Sequence, residues 1–317
     1  MSGKPEKIVV SDFKVTDAMP KVTNPEVQKL LPTRLKPQFA SFQISGVDAS
    51  VPNAIRRTIL CEMLVKALSA EFHDFSSTDP YHKPKEILHR LEMIPILQST
   101  PKDSVFELKV TNTTPHRMHV KSSQIQIVRG PKELPFNETF TLFTLEPGAK
   151  CHIRNIKIKE AYGYDNGTYV MALAPTSIAL DVEPYNPYTK TGVRSSVANP
   201  QKWRIEFGTN GIMDPKDIIR LACDNIIERA HIENLFESIK SNNSIHVLRI
   251  ENESATIANL IQRSVLHLFP NVDITCDHNS SERYIVIKMR TDEDPKKILS
   301  EAIGRIERIY KTIKDQI

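Results

Sequence analysis

The chain lacks most of what marks an enzyme or a membrane protein. No glycine-rich loop of the Walker or dinucleotide type occurs among its 317 residues, so nothing offers a backbone cradle for phosphates. Gly163-Tyr164-Asp165-Asn166-Gly167 reads as a turn. No serine or cysteine sits in a nucleophile elbow. The four cysteines, Cys61, Cys151, Cys223 and Cys276, are far apart and form no Cys-x-x-Cys pair. With no signal peptide and no apolar run near ~18 residues, they predict an intracellular protein with free thiols and no membrane span. A strong charge of one sign is missing as well, since 42 basic and 38 acidic residues leave a net charge of +4. Residues 241–317 carry 11 of each sign, so the excess is spread over the first 240. DNA binders usually concentrate basic charge on one element, and this composition neither demands nor excludes nucleic acid.

The ten histidines suggest no metal centre. His116-x-x-His119 with Cys151-His152 has zinc-ligand types, and Cys276-x-His278 resembles half a site. Yet His116 and His119 fall in a strand-like stretch, where residues three apart point to opposite faces. The acidic run Asp292-Glu293-Asp294 stands where a helix dipole favours it, at a helix N-terminus. No catalytic residue, metal or cofactor is expected.

What is present is organised around Ser50-Val51-Pro52-Asn53-Ala54-Ile55-Arg56-Arg57-Thr58-Ile59-Leu60. Ser50 is a suitable N-cap, and Pro52 lies in the first turn, where its missing N–H costs nothing. Ile55, Ile59 and Met63 fall on one helical face, beside Ala54, Thr58 and Cys61. Arg56 and Arg57 interrupt this apolar helix. They are either its solvated side or rigid forks for the carboxylates or carbonyls of a partner.

A second copy follows. Asn259-Leu260-Ile261-Gln262-Arg263-Ser264-Val265-Leu266 keeps Asn, Ile, Arg and Leu in register with Asn53–Leu60. Asp214-Pro215-Lys216-Asp217-Ile218-Ile219 is echoed by Asp294-Pro295-Lys296-Lys297-Ile298-Leu299, and Ala222 and Ile226 by Ala302 and Ile306. The two landmarks are 161 residues apart in the first copy (53 to 214) and 35 in the second (259 to 294). The difference of 126 residues is the size of a small domain, so the first copy is expected to hold an insertion.

Asn53-Ala54-Ile55-Arg56-Arg57 followed by His89-Arg90-Leu91-Glu92-Met93-Ile94-Pro95-Ile96 resembles the signature stretches of the alpha-type RNA polymerase assembly subunits: bacterial alpha, archaeal D and the eukaryotic third-largest subunit. Residues 245–317 resemble their small L-type partner, whose helix usually reads Gly-Asn-Leu-Leu-Arg where this chain has Ala258 to Arg263. The resemblance covers residues 38–317, and a single-chain fusion looks like an arrangement found in large DNA viruses. It implies an α+β fold with two related helix-on-antiparallel-sheet dimerisation units, the first interrupted by a β-rich domain. The expected divisions are an N-terminal arm over 1–37, the alpha-like unit over 38–100 and 201–243, the insert over 101–200, and the L-type unit over 244–317.

The strand readings behind this division are Phe39–Ile44, Leu64–Phe75, Val105–Val110, Gln124–Ile127, Thr139–Leu142, His152–Ile158, Trp203–Phe207, Ile245–Ile250, Val272–Cys276 and Tyr284–Met289. Glu183–Asn199 reads as a return loop. On the last helix Leu299, Ile303, Ile306, Tyr310, Ile313 and Ile317 recur at spacings of three and four. That seam of ~20 residues, or ~30 Å, needs a neighbour. Ile55, Ile59, Ile261 and Val265 supply the facing surface of an intramolecular pseudo-dimer.

The resemblance further implies a non-catalytic scaffold whose partners are the two largest polymerase subunits and further small ones. It would reach DNA only through the complex, in a viral factory or virion if viral and otherwise in the nucleus. Carried over by position, Asn53, Arg56, Arg57, His89 and Arg90 would meet a large subunit; for His89 and Arg90 a local cap or salt bridge is the competing reading. The Gly163–Tyr169 stretch departs from the family's usual Gly-x-x-x-His-Ala-Lys loop. The alternative function is a free-standing nucleic-acid-binding transcription module; an enzyme built on the insert has no legible catalytic constellation behind it.

Overall fold

The computed structural model describes residues 7–18, 35–181, 200–279 and 281–317. In chain order these begin with β1 (Val9–Asp17), β2 (Gln38–Ser45), α1 (Ser50–Arg57), β3 (Leu64–Ser69), β4 (Phe75–Ser77) and α2 (Pro84–Glu92). There follow β5 (Val105–Thr111), β6 (Met118–Lys121), β7 (Ile125–Arg129), β8 (Thr141–Leu145), β9 (Lys150–Tyr162), β10 (Leu173–Ala179) and β11 (Lys202–Thr209). The remainder is α3 (Pro215–Ala230), β12 (Lys240–Asn242), β13 (Ile245–Glu251), α4 (Ala255–Leu268), β14 (Asp273–Asn279), β15 (Tyr284–Arg290) and α5 (Pro295–Gln316).

The fold is α+β, with two antiparallel four-stranded sheets, ordered β1-β2-β11-β10 and β12-β13-β15-β14. Strand alternation sets which face each sheet buries. In β2, Ala40, Phe42 and Ile44 point inward while Phe39 stays exposed. In β15, Ile285, Ile287 and Met289 do the same. The buried faces meet through the helices: α1 lies against α4, α3 against α5, and α4 against α5. One continuous core results, joining Phe42, Ile55 and Ile219 of the first unit to Ile250, Ile261 and Ile306 of the second.

The insert sheet runs β3-β9-β5-β7, with β4 also on β9, and β6 and β8 form a separate ribbon. Its own core takes Phe106, Leu108, Ile153 and Ile156 from strands, but also Leu68 from β3, Ile87 and Leu91 from α2, and Ile94 and Ile96 beyond it. A boundary after residue 100 therefore passes through a packed cluster. Tyr169, Met171 and Ala172, on the far side of the insert, belong to the first core.

Several local readings are corrected. Ser50 does not cap α1: its hydroxyl donates to Asp48 Oδ1 at 2.5 Å, and that same oxygen accepts from the Ser50 N–H at 2.8 Å. The N-cap is Ala49, which makes no side-chain cap bond, and Asp48 one residue earlier takes the Ser50 N–H. The helix does not continue as α to Met63; Thr58–Glu62 is a π-turn and Met63 is extended. Leu64–Phe75 is not one strand, because a 3₁₀ turn at Phe72–Asp74 separates β3 from β4. Residues 9–17 of the expected arm are the edge strand β1, whose outer side is gripped by Gln316: Oε1 accepts from Val10 N at 2.7 Å and Nε2 donates to Ile8 O at 3.2 Å. The expected loop 183–199 and residues 19–34 of the arm lie outside the described residues.

Candidate functional site

The surface with the densest specific chemistry is the one on which the two units mate. Ile55 and Ile59 of the first unit, Ile261 and Val265 of α4, and Leu299, Ile303, Ile306, Tyr310 and Ile313 of α5 are each at most 1% exposed, in one shared cluster. Two polar ties cross it. Tyr310 donates to the Val51 carbonyl at 3.2 Å. Arg305, buried on α5, donates to Ser264 Oγ at 3.1 Å and approaches Asp48 Oδ2, just ahead of α1, at 3.9 Å.

At one end of this interface lies a buried ionic knot absent from the sequence reading. Glu62, at the end of the π-turn and 4% exposed, accepts from Thr256 Oγ1 at 2.7 Å, Ser254 Oγ at 3.0 Å and Arg229 Nη1 at 2.8 Å. Arg229, on α3, also holds Glu253 at 2.7 Å. Ser254 caps α4, its side chain accepting from Thr256 N at 3.2 Å, so Glu62 places its charge at a helix N-terminus. Burial opposes ionisation of Glu62, but the Arg229 charge and the donated hydrogen bonds outweigh it and hold the carboxyl below the ordinary glutamate range. Arg229 is partly buried, which opposes its charge, yet hydrogen bonding to Glu253 and the charges of Glu253 and Glu62 raise its pKa, so it stays cationic.

The π-turn makes this knot possible. Its irregular backbone turns Glu62 out of the apolar stripe toward α4, and a freed carbonyl, Ile59 O, accepts from Ala172 N at 3.2 Å. The loop after β9 closes over the turn so tightly that a Cβ on Gly163 would lie 2.8 Å from Cys61 Cα and 2.9 Å from the Tyr169 carbonyl. The stretch that departs from the family pattern is thus fitted to the π-turn. The only local hint of the knot was an acid, Glu62, in the apolar run Leu60–Val65.

The five residues singled out for a partner do not form one constellation. Asn53 and Arg56 pair on α1, with Asn53 Oδ1 accepting from Arg56 Nη2 at 2.7 Å and from Nε at 3.3 Å. Arg57 is turned inward, its Nε donating to Thr256 Oγ1 at 2.8 Å and its Nη2 3.5 Å from Glu62. His89 and Arg90 sit on α2, over the insert core rather than the shared one. Arg90 donates to Leu142 O at 3.0 Å, and exposed His89 lies 3.9 Å from Glu92.

Burial pushes the Cys151 and Cys276 thiols up to about 12 and also raises Cys61 and Cys223, so no cysteine is a ready thiolate. His152 pairs with Glu107. Among the described residues no cluster of three or more His, Cys, Asp or Glu is placed to hold a metal, and no helix is long and apolar enough to cross a membrane.

Two helix-on-sheet units that bury their helices against one another within one chain define a fused dimerisation platform. The RNA polymerase Rpb3/Rpb11 dimerisation domain matches residues 41–230, and a second domain of the same description matches 246–316; the chain belongs to this family. It is similar over nearly its whole length to proteins of African swine fever virus described as "DNA-directed RNA polymerase RPB3-11 homolog". That of isolate Pig/Kenya/KEN-50/1950 is 24% identical over 327 residues, covering 92% of this chain and 90% of its own. Those of isolate Tick/Malawi/Lil 20-1/1983 and strain Badajoz 1971 are 23% and 22% identical with the same coverage.

Proposed function

We propose that the chain is a non-catalytic assembly subunit of a multisubunit DNA-directed RNA polymerase, a pseudo-heterodimer folded from one polypeptide that docks the two large catalytic subunits. The observation that carries this reading is the continuous core between the two dimerisation units. It leaves their outer surfaces free as one composite platform. Joining both units in one chain replaces a bimolecular step by an intramolecular one, with an effective concentration in the ~mM range. The viral relatives favour a site of action in the host cytoplasm or the virion.

Within this platform the half-buried Asn53–Arg56 pair on α1 and the exposed His89 and Arg90 on α2 are the groups offered to a large subunit. Arg56 is held by Asn53, so its fork loses little freedom on binding. Co-expression with the two largest polymerase subunits tests the reading. Arg56→Ala with Arg90→Ala is expected to reduce recovery of a large subunit while the chain's unfolding midpoint stays near native. Recovery of both subunits at native yield would refute the assignment of these residues. Failure of the native chain to recover either subunit would refute the platform itself.

A further inference from the structure

The insert sheet has two unlike faces. Its inner face is covered by α2 and packed with Phe106, Leu108, Ile153 and Ile156. The outer face is buried at its β3 edge, where Val65 and Ala67 join the shared core, and is otherwise open to solvent; its central strand β9 carries a line of cations. Lys150, His152 and Arg154 alternate with buried Cys151 and Ile153. A bulge at Asn155, where φ is +48°, then shifts the register, and Lys157 and Lys159 continue outward while Ile156 stays inside. Outside the bulge, every outward position of β9 from 150 to 159 is therefore basic. Without the extra residue, strict alternation would have split the line between the two faces.

Neighbouring strands extend the line rather than neutralise it. Lys109 of β5 lies directly opposite His152, and the other outward partners are uncharged, Thr111 opposite Lys150, Val105 opposite Lys157 and Ser69 opposite Lys157 on β3. Nearby acids are already engaged: Glu107 with His152, Glu160 with Lys102 at 2.6 Å, and Asp74 with the Asn155 amide at 2.9 Å. The Lys109, Lys150, Arg154, Lys157 and Lys159 side chains have no partner among the described residues. Where β3 gives way to β4 opposite the bulge, Phe72 projects with 63% of its surface exposed.

We propose that this outer face of the insert binds the phosphate backbone of a nucleic-acid strand. Extended β geometry spaces alternate side chains by about 6.6 Å, so the row offers cations at regular intervals along a line. That suits a linear polyanion. A protein interface would need a desolvated apolar or aromatic centre, which the row lacks. Phe72, on the flank, is placed to stack on a base, as aromatic side chains do beside phosphate-tracking grooves. Contacts of this kind carry no sequence information, so binding is expected to be sequence-tolerant and strongly salt-dependent. None of the five β9 cations belongs to the shared core or to the set Asn53, Arg56, His89 and Arg90, although Ser69, opposite Lys157, donates to Glu92 beside His89 at 3.4 Å, so this inference is tested apart from the assembly role.

The test uses the full chain and a fluorescently labelled single-stranded oligothymidylate, with anisotropy read over a salt series. Arg154→Gln/Lys157→Gln/Lys159→Gln is compared with Lys85→Gln/Lys240→Gln/Lys297→Gln, which removes equal charge from exposed positions elsewhere. The first variant is expected to flatten the log–log salt slope by about 2 and weaken binding roughly tenfold at low salt, with the control near native. An unchanged unfolding midpoint shows that the outward substitutions leave the fold intact. Three results would overturn the proposal: no binding by the native chain at low salt, equal losses in both variants, or no loss in the first. Polyglutamate competing charge for charge as well as the oligonucleotide would also overturn it, assigning the row to an acidic protein segment. Co-expression recovery of the large subunits by the β9 variant reads the assembly role separately.

Discussion

The two copies of the Asn-containing helix started from one pattern and solve different problems. In the second unit, α4 runs as a regular α-helix of 14 residues, its Ser254 cap in place. In the first, α1 has eight α-helical residues before the backbone widens into the π-turn. Matching positions then diverge. Arg263 of α4 is exposed and without a partner among the described residues, whereas Arg57 turns inward to Thr256 and Glu62. Ser264 accepts from Arg305, whereas the Thr58 hydroxyl is buried without a partner among the described residues. The second helix supplies a cap, and the first supplies the charge that sits on it. A repeated unit can thus become a self-complementary but asymmetric pair, which fixes the order of the two halves as well as their contact.

The largest expected effect comes from cutting the knot. Glu62→Ala should destabilise the fold by about 3 kcal/mol, because it strips a buried partner from Arg229 and leaves the Thr256 and Ser254 hydroxyls unanswered. Urea unfolding measures it, and a loss below about 1 kcal/mol would show that Arg229 and Glu253 suffice without Glu62. The same group sets an acid limb. Its folded pKa is depressed, so its stabilisation is present above the unfolded value of about 4.3 and is lost as pH falls through the lower folded value. Between pH ~5 and ~3 the native chain should therefore lose stability more steeply than Glu62→Gln, in unfolding midpoints measured across that range.

A smaller effect separates the two arginines. Arg57→Ala should cost about 1.5 kcal/mol, and Arg263→Ala less than ~0.5 kcal/mol, although the sequence repeat equates them. Equal losses in thermal unfolding would mean that the repeat, and not the π-turn, governs their roles. The smallest effects should have opposite signs. Thr58→Val removes a buried hydroxyl without a partner at nearly constant volume and should stabilise by up to ~1 kcal/mol. Ser264→Ala removes the acceptor of buried Arg305 and should destabilise by about 1 kcal/mol. The two unfolding midpoints, compared with the native chain, check both signs.

How much of this was legible in the sequence depended on how local the cause was. The Asp-Pro starts of α3 and α5 are local, and both aspartates cap as their spacing suggests, accepting from Lys216 N at 2.8 Å and Lys296 N at 3.0 Å. Period-2 alternation in β2, β5 and β15 was visible for the same reason. Ser50 was misread because its hydroxyl had a nearer acceptor in Asp48. The π-turn was invisible because the apolar spacing of Ile55, Ile59 and Met63 fits a straight helix, and only the loop at Gly163 and Ala172 stabilises the departure. Strand β10 was missed because Ala174, at φ +44°, and Pro175 break its alternation; pairing with β11 holds it in place. The partners of Arg57 lie 199 positions away at Thr256, beyond any local rule.

The claim on which these comparisons rest is that the two units share one core and unfold as one body. The chain's single tryptophan, Trp203, reports on the first unit from β11, and the backbone amides of α5 report on the second. Urea unfolding followed by Trp203 fluorescence and by hydrogen exchange of α5 should give coincident transitions. Ile306→Ala, in the second unit, should shift both together by about 3 kcal/mol. Two separate transitions, with the Trp203 signal unmoved by Ile306→Ala, would contradict the account.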